Sequence, residues 1–192
     1  MRDVRTDTVD GIVHQWSTQR PDLDFTPLAV FSRISRIDKQ LDALRRRAFA
    51  AAGLDLAEFD VLSALRRAGA PYVLSPTQLL ATNLVTSGTM TNRINRLSAR
   101  GLVVREADPN DGRSVRVKIT AEGKRRVDAA ILALVDIEQA ALSDIPPEEL
   151  DVLVETLRTL ALRLSEPAPS VEIETATSDT NGEQSPQTQR LS

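Results

Sequence analysis

Residues 86–120 read TSGTMTNRINRLSARGLVVREADPNDGRSVRVKIT, and this stretch decides the fold. Thr86 is a good N-cap and Gly101 a good C-terminal glycine, so a helix is expected between them. Met90, Ile94 and Leu97 fall on one face of that helix. Gly88, Thr91, Asn92, Asn95 and Ala99 fall opposite, flanked by Thr89 and Arg96. Such a helix buries a narrow apolar seam and shows its surroundings small polar groups. Beyond Gly101 the period changes. Leu102 to Arg105 and Val115, Val117 and Ile119 have alternating, β-branched character, and DPNDG between them (Asp108 to Gly112) is a dense turn signal. A two-stranded hairpin is expected there.

Working upstream, Asp55 with Glu58 reads as a capping box that opens a helix through Phe59, Val61, Leu62 and Leu65. Ser75 before Pro76 starts a short helix through Leu79 and Leu80. Short helices followed by a β-hairpin make a winged helix-turn-helix, in which the second helix fits a DNA major groove. The residues expected to face DNA are Ser75, Thr77, Gln78, Ser87, Gly88, Thr89, Thr91, Asn92, Asn95 and Arg96, with Arg113 at the hairpin tip entering the minor groove. The plainer alternative is a surface helix whose Thr and Asn are merely solvated.

Charge supports the first reading. The whole chain carries a formal −3, but residues 166–192 hold −4 of it and residues 84–126 carry +6. A phosphate backbone responds to the local charge within a Debye length, not to the total. The acidic segment has few large apolar residues to offset its ordering entropy, so a disordered tail is expected over 166–192.

The chain ends are helical. Val9, Ile12, Val13 and Trp16 mark a short amphipathic helix over about Asp7 to Thr18. A longer one carries Val30, Phe31, Ile34, Ile37, Leu41 and Leu44 and ends near Gly53. Thr120 caps a helix with Val127, Ile131, Leu134, Val135 and Leu142, and Pro146-Pro147 opens a last one with Leu150, Leu153, Val154, Leu157, Leu160 and Leu164. Continuous apolar stripes at both ends suit a homodimer that presents two reading helices about 34 Å apart; a monomeric bundle is the alternative. The expected fold class is mainly α, a winged helix-turn-helix with a two-stranded β wing between N- and C-terminal dimerisation helices. The expected boundaries are 1–20 for an extra N-terminal helix, 21–55 for a dimerisation helix, 56–120 for the DNA-binding domain, 121–165 for C-terminal dimerisation helices and 166–192 for the tail.

Composition excludes several chemistries. With no cysteine, thiol redox sensing, disulfides and Cys-ligated zinc are ruled out, and a single histidine, His14, leaves little scope for a triad or a metal site. No cofactor is expected and the protein is not read as an enzyme. The longest apolar run, Ala129 to Val135, is too short to span a bilayer. No secretory signal is read at Met1-Arg2-Asp3, so a cytoplasmic location and no membrane partner are expected.

Arg93 is unusual on the helical wheel, because it lies about 60° from the inward seam, where a charge is partly desolvated. It needs an anionic partner, and Asp60 is the nearest candidate in this topology. Arg105, just inside the first wing strand, is a second guanidinium, and Trp16, the sole tryptophan, offers a flat face.

The motif from Asp108 to Gly123, DPNDGRSVRVKITAEG, resembles the wing signature of MarR-type (multiple antibiotic resistance) transcriptional regulators, and the resemblance covers about Pro27 to Leu164. It implies a winged-helix dimer in which Asp111 supports Arg113 as that arginine reaches into the minor groove. The cysteine-based peroxide sensors of that family are excluded here. Trp16, Asp60, Asn92-Arg93 and Arg105 are further similar to the set found in the family's urate-responsive branch. The resemblance implies a repressor bound to a palindromic double-stranded DNA operator and released by a small anionic ligand, urate or a related purine. That ligand would stack on Trp16, bond Arg105 and disturb Asp60–Arg93. Other aromatic or tricarboxylic acids are the nearer alternative, and a winged-helix protein-interaction module without DNA binding is the more distant one. The simpler readings are a packing tryptophan and a structural Asp60–Arg93 ion pair.

Overall fold

A computed structural model describes residues 6–82, 86–108 and 111–165, and the tail expected over 166–192 lies outside the described residues. The helices are α1 (Thr8–Gln19), α2 (Thr26–Ala51), α3 (Leu56–Arg67), α4 (Pro76–Thr82), α5 (Ser87–Ala99), α6 (Ala121–Leu142) and α7 (Pro147–Ser165). The strands are β1 (Val73–Leu74), β2 (Val103–Asp108) and β3 (Asp111–Ile119). The chain divides into two units, residues 1–144 and 145–192, so α6 belongs with the winged helix and α7 stands in the second unit. No described helix is long and apolar enough to cross a membrane.

Local chemistry sets the helix starts. The Asp55 carboxylate accepts the Glu58 amide at 2.8 Å and the Glu58 carboxylate accepts the Asp55 amide at 3.1 Å, the reciprocal capping box that opens α3. Ser75 and Gln78 exchange the same pair of bonds ahead of α4, at 2.8 and 3.1 Å. Thr86 caps α5 through the Thr89 amide, and Thr120 caps α6 through the Gly123 amide. Helix α5 ends where Gly101 takes a φ of 69°, a left-handed conformation that glycine adopts without a Cβ penalty. Asp7 and Asp10 form another capping box at the start of α1, and Arg33 of α2 bonds both carboxylates at 2.7–3.1 Å. This bridge ties the extra helix to the long one.

The wing departs from expectation in one respect. It is three-stranded, in the order β1-β3-β2 and antiparallel throughout, because Val73 and Leu74 pair with Lys118 and Val117. A two-residue strand is too short to show alternation in sequence, and only its distant partner defines it. Strands β2 and β3 pair in the expected hairpin, with Val103 opposite Ile119 and Arg105 opposite Val117.

One core runs through the first unit. Phe49 of α2 stacks on Phe59 of α3 with centroids 3.9 Å apart. Around them Leu62, Leu65, Leu79, Met90, Ile94, Leu97, Leu102, Val103, Val117, Val127 and Ala130 are buried. The upper part of α2 and much of α6 remain outside it, with Val30, Phe31, Ile37, Ile131, Leu132, Val135 and Leu142 exposed. Helix α7 buries none of its residues.

Helix α6 meets the wing at Gly123. The Thr120 amide donates to the Leu102 carbonyl at 3.1 Å and the Thr120 hydroxyl to the Gly101 carbonyl at 2.8 Å, which draws the first turn of α6 against that backbone. A Cβ on Gly123 would lie 2.1 Å from the Leu102 oxygen, and backbone cannot give way as a side-chain tip does. Gly123→Ala should therefore destabilise the protein by about 1–3 kcal/mol through overpacking. Gly11→Ala, with open space around it in α1, should leave stability unchanged or raise it by up to about 1 kcal/mol. Urea unfolding of both variants checks the pair, and equal midpoints would refute the close approach.

Candidate nucleic-acid interface

The seam expected of α5 is where the sequence puts it. Met90, Ile94 and Leu97 are at most 1% exposed, which fixes the rotation of the helix about its axis. Ser87, Gly88, Thr89, Thr91, Asn92, Asn95 and Arg96 are all exposed on the remaining surface. Thr77 and Gln78 of α4 are exposed too, and Ser75 is half-buried at the cap it forms. Two of the threonines are already oriented: the Thr89 side chain bonds the Thr86 hydroxyl at 3.0 Å, and Thr91 donates to the Ser87 carbonyl at 3.0 Å. Asp111 and Arg113 lie on β3, but their side chains fall outside the described residues.

Arginines of α5 are tied to acids of α3. Arg93 Nη1 lies 3.4 Å from Asp60 Oδ2, with the Arg93 side chain only 19% exposed. Partial burial raises the Asp60 pKa, opposed by the charges of Arg93, Arg45 and Arg67. Arg96 Nη2 donates to Asp55 Oδ2 at 2.7 Å and stands 3.5 Å from Glu58 Oε1. Burial pushes the Asp55 carboxyl upward, but the Glu58 amide and Arg96 hold it below the usual carboxylate range. Arg100 pairs with Glu58 Oε2 and donates through Nη2 to the Gly53 carbonyl at 2.6 Å. Glu58 is 2% exposed as a residue, so a buried carboxylate anchors α5.

From sequence, Glu58 reads only as a capping residue and Arg96 only as a DNA contact, so this anchor is missed. A signal for it is present, since Arg93, Arg96 and Arg100 recur at i, i+3 and i+7 and share one stripe of α5. The observed Arg96 is engaged within the chain, although its side chain remains 60% exposed.

The ligand set inferred from sequence is not gathered in one place. Asp60 and Arg93 meet. Arg105 instead donates to Asn95 Oδ1, on the outer side of α5. Asn95 and Arg93 leave the helix on flanks about 160° apart at its usual advance per residue, so the body of the helix separates the two guanidinium groups. Trp16 stacks on Phe25 with centroids 6.1 Å apart and keeps about half of its surface open. A surface groove of about 620 Å³ lies elsewhere, along α2, lined by Phe31, Ser32, Ser35, Arg36, Lys39 and Gln40.

Comparison with known proteins agrees with this geometry. A family model described as MarR family matches residues 52–114. The HTH-type transcriptional regulator PecS of Dickeya dadantii is 36% identical over 141 residues, covering 73% of this chain and 85% of PecS. A mutant MarR from E. coli, solved in complex with operator DNA, superposes with a TM-score of 0.61 at 25% identity, covering 71% of this chain and 96% of that one. BpsR of Bordetella bronchiseptica, described for regulation of its DNA binding by 6-hydroxynicotinic acid, superposes with a TM-score of 0.59 at 27% identity, covering 69% and 92%. The buried seam, the polar outer face and a relative matched over most of its length lead to one assignment: the chain belongs to the MarR family of DNA-binding, winged-helix transcriptional regulators.

Proposed function

We propose that the protein is a repressor that binds a palindromic operator as a homodimer and is released by a small anionic ligand, urate or a related purine. The observation that carries the DNA part is the rotation of α5, which buries Met90, Ile94 and Leu97 and leaves Thr91, Asn92 and Asn95 outward. Bases are read by Thr91, Asn92 and Asn95, with Gly88 allowing close approach. Ser75, Thr77, Gln78, Ser87 and Thr89 sit at helix starts, where amides and hydroxyls suit phosphate contacts. Arg113, supported by Asp111, enters the minor groove. The dimer reading rests on the exposed apolar faces of α2, α6 and α7, which include Phe31, Ile37, Leu132, Val135, Leu153 and Leu157.

The ligand reading rests on Asp60–Arg93. An anion arriving beside Asp60 competes for Arg93 and raises the Asp60 pKa further, so the carboxylate releases the guanidinium. Arg93 belongs to α5, and its movement alters the reading face. Trp16 supplies a stacking face, and Arg105, tied to Asn95 on the other flank of α5, would have to leave it to join the same anion. Such coupling releases DNA substantially only if it favours the non-binding form by a few kcal/mol. The description of BpsR favours a second reading, in which the anion is a small heteroaromatic acid. Location in the cytoplasm follows from a role on DNA.

An operator obtained by selection from random duplexes tests the DNA part. Arg113→Ala should weaken operator binding by about 1–3 kcal/mol and leave the fold intact. Affinity unchanged at two salt concentrations would remove Arg113 from the interface. Asn92→Ala should reduce operator binding more than binding to a mixed-sequence duplex.

The ligand part is read out by Trp16, the only tryptophan. Urate should quench its fluorescence and release the operator, and Trp16→Ala should weaken urate binding by about 1–2 kcal/mol. Arg93→Ala should abolish release. Quenching and release by 6-hydroxynicotinate but not urate would replace the purine by a heteroaromatic acid, and no response to either would end the Asp60–Arg93 reading.

A further inference from the structure

The stripe of arginines on α5 is held by two carboxylates of very different accessibility. The Glu58 side chain is 3% exposed, and its partner Arg100 is fastened a second time by the Gly53 carbonyl. Removing one partner of such a pair strands a buried charge, so this contact stays closed. The Asp55 and Arg96 side chains are 46% and 60% exposed. A pair this open to water is weak, and a phosphate oxygen is a fitting competitor for its guanidinium. Glu58 Oε1, with no hydrogen bond of its own, stands 3.5 Å from Arg96 and adds to the hold on it.

We propose that Asp55 is a latch on operator affinity, which holds Arg96 against α3 in the free protein and yields it to a DNA phosphate only when α5 is seated in its operator. This rests on α5 being the DNA-reading helix. Glu58–Arg100 keeps the helix in register in both states. A loose, non-specific encounter does not gain enough elsewhere to open the latch, so Arg96 contributes little to it. A fully seated helix exchanges one anionic partner for another and adds the phosphate contact. Only the seated complex meets the cost of opening the pair, so Asp55 holds operator affinity down by that cost and non-specific affinity by no more than the weaker contact Arg96 would make there.

The test is Asp55→Asn, because asparagine caps a helix as well as aspartate does and removes only the charge. Affinity is measured for a mixed-sequence duplex and for the selected operator across a salt series. The mixed-sequence affinity should rise about threefold to tenfold at low salt, with a salt slope steeper by about one per protomer. Operator affinity should rise at least as much, because the seated complex no longer meets the cost of opening the pair, while its salt slope stays the same because Arg96 already meets a phosphate there. In an Arg96→Ala background, Asp55→Asn should leave both affinities within about 1.5-fold. An equal rise in that background would reduce the effect to loss of a nearby negative charge and overturn the latch, as would no rise at all in the parent background. If Asp55→Asn melts early, Asp55→Ser, another uncharged cap, carries the same cycle. A parent protein that shows no salt-dependent duplex binding brings down the DNA reading and the latch together. A parent that binds while the cycle is additive brings down the latch alone.

Discussion

Burial of Met90, Ile94 and Leu97 is the constraint on which the outward face of α5, and with it the proposed DNA-reading surface, depends. A helix turns about 100° per residue, so seating three side chains beneath α3, α4 and β2 determines the direction of every other residue on α5. Each buried side chain of this size contributes about 1.5–3 kcal/mol, well above an exposed ion pair. The seam therefore sets the pose, and polar contacts trim it. Thr91, Asn92 and Asn95 face outward because the seam leaves them no alternative.

Helix α3 serves as the mount for that pose. Its N-cap Asp55, with Glu58 and Asp60, meets Arg96, Arg100 and Arg93 in turn. On the far flank Asn95 takes Arg105 from the wing. Helix α5 is thus held by charge on one side, while on the other Arg105 adds a hydrogen bond to the apolar packing of the wing's root against the seam. A change at α3 reaches α5 through ion pairs as well as packing, whereas a change in the wing reaches it through the buried root of the hairpin and the Arg105–Asn95 bond. These are two separate routes, and the proposed ligand would have to act on both for Asp60 and Arg105 to belong to one response.

Features governed by near neighbours along the chain are legible in the sequence itself. Thr86, Thr120 and the Asp55–Glu58 box cap the helices expected of them, since a cap involves residues three apart. The seam of α5 and the hairpin around 108–112 follow from periodicity and turn chemistry. What stays hidden depends on distant partners. Val73–Leu74 becomes a strand only because Lys118 and Val117 come to lie beside it. By position Arg105 reads as a ligand contact, but the reach of its side chain brings it to Asn95. Glu58 already has a local explanation as a capping residue, which conceals its second partner on α5.

The third strand has a mechanical consequence. Val73 and Leu74 lie in the connection between α3 and α4, and they pair with the base of β3 near Lys118. The Ile119 amide also donates to the Tyr72 carbonyl at 3.2 Å, so the seam between wing and helix-turn-helix is stitched at successive residues. A hairpin whose β3 edge is paired at its root cannot swing as a free flap. The root of the wing therefore travels with α3 and α4. The connection that joins α3 to α4 thus also sets the angle between the wing's root and α5, so the two move as one piece and not about a hinge between them.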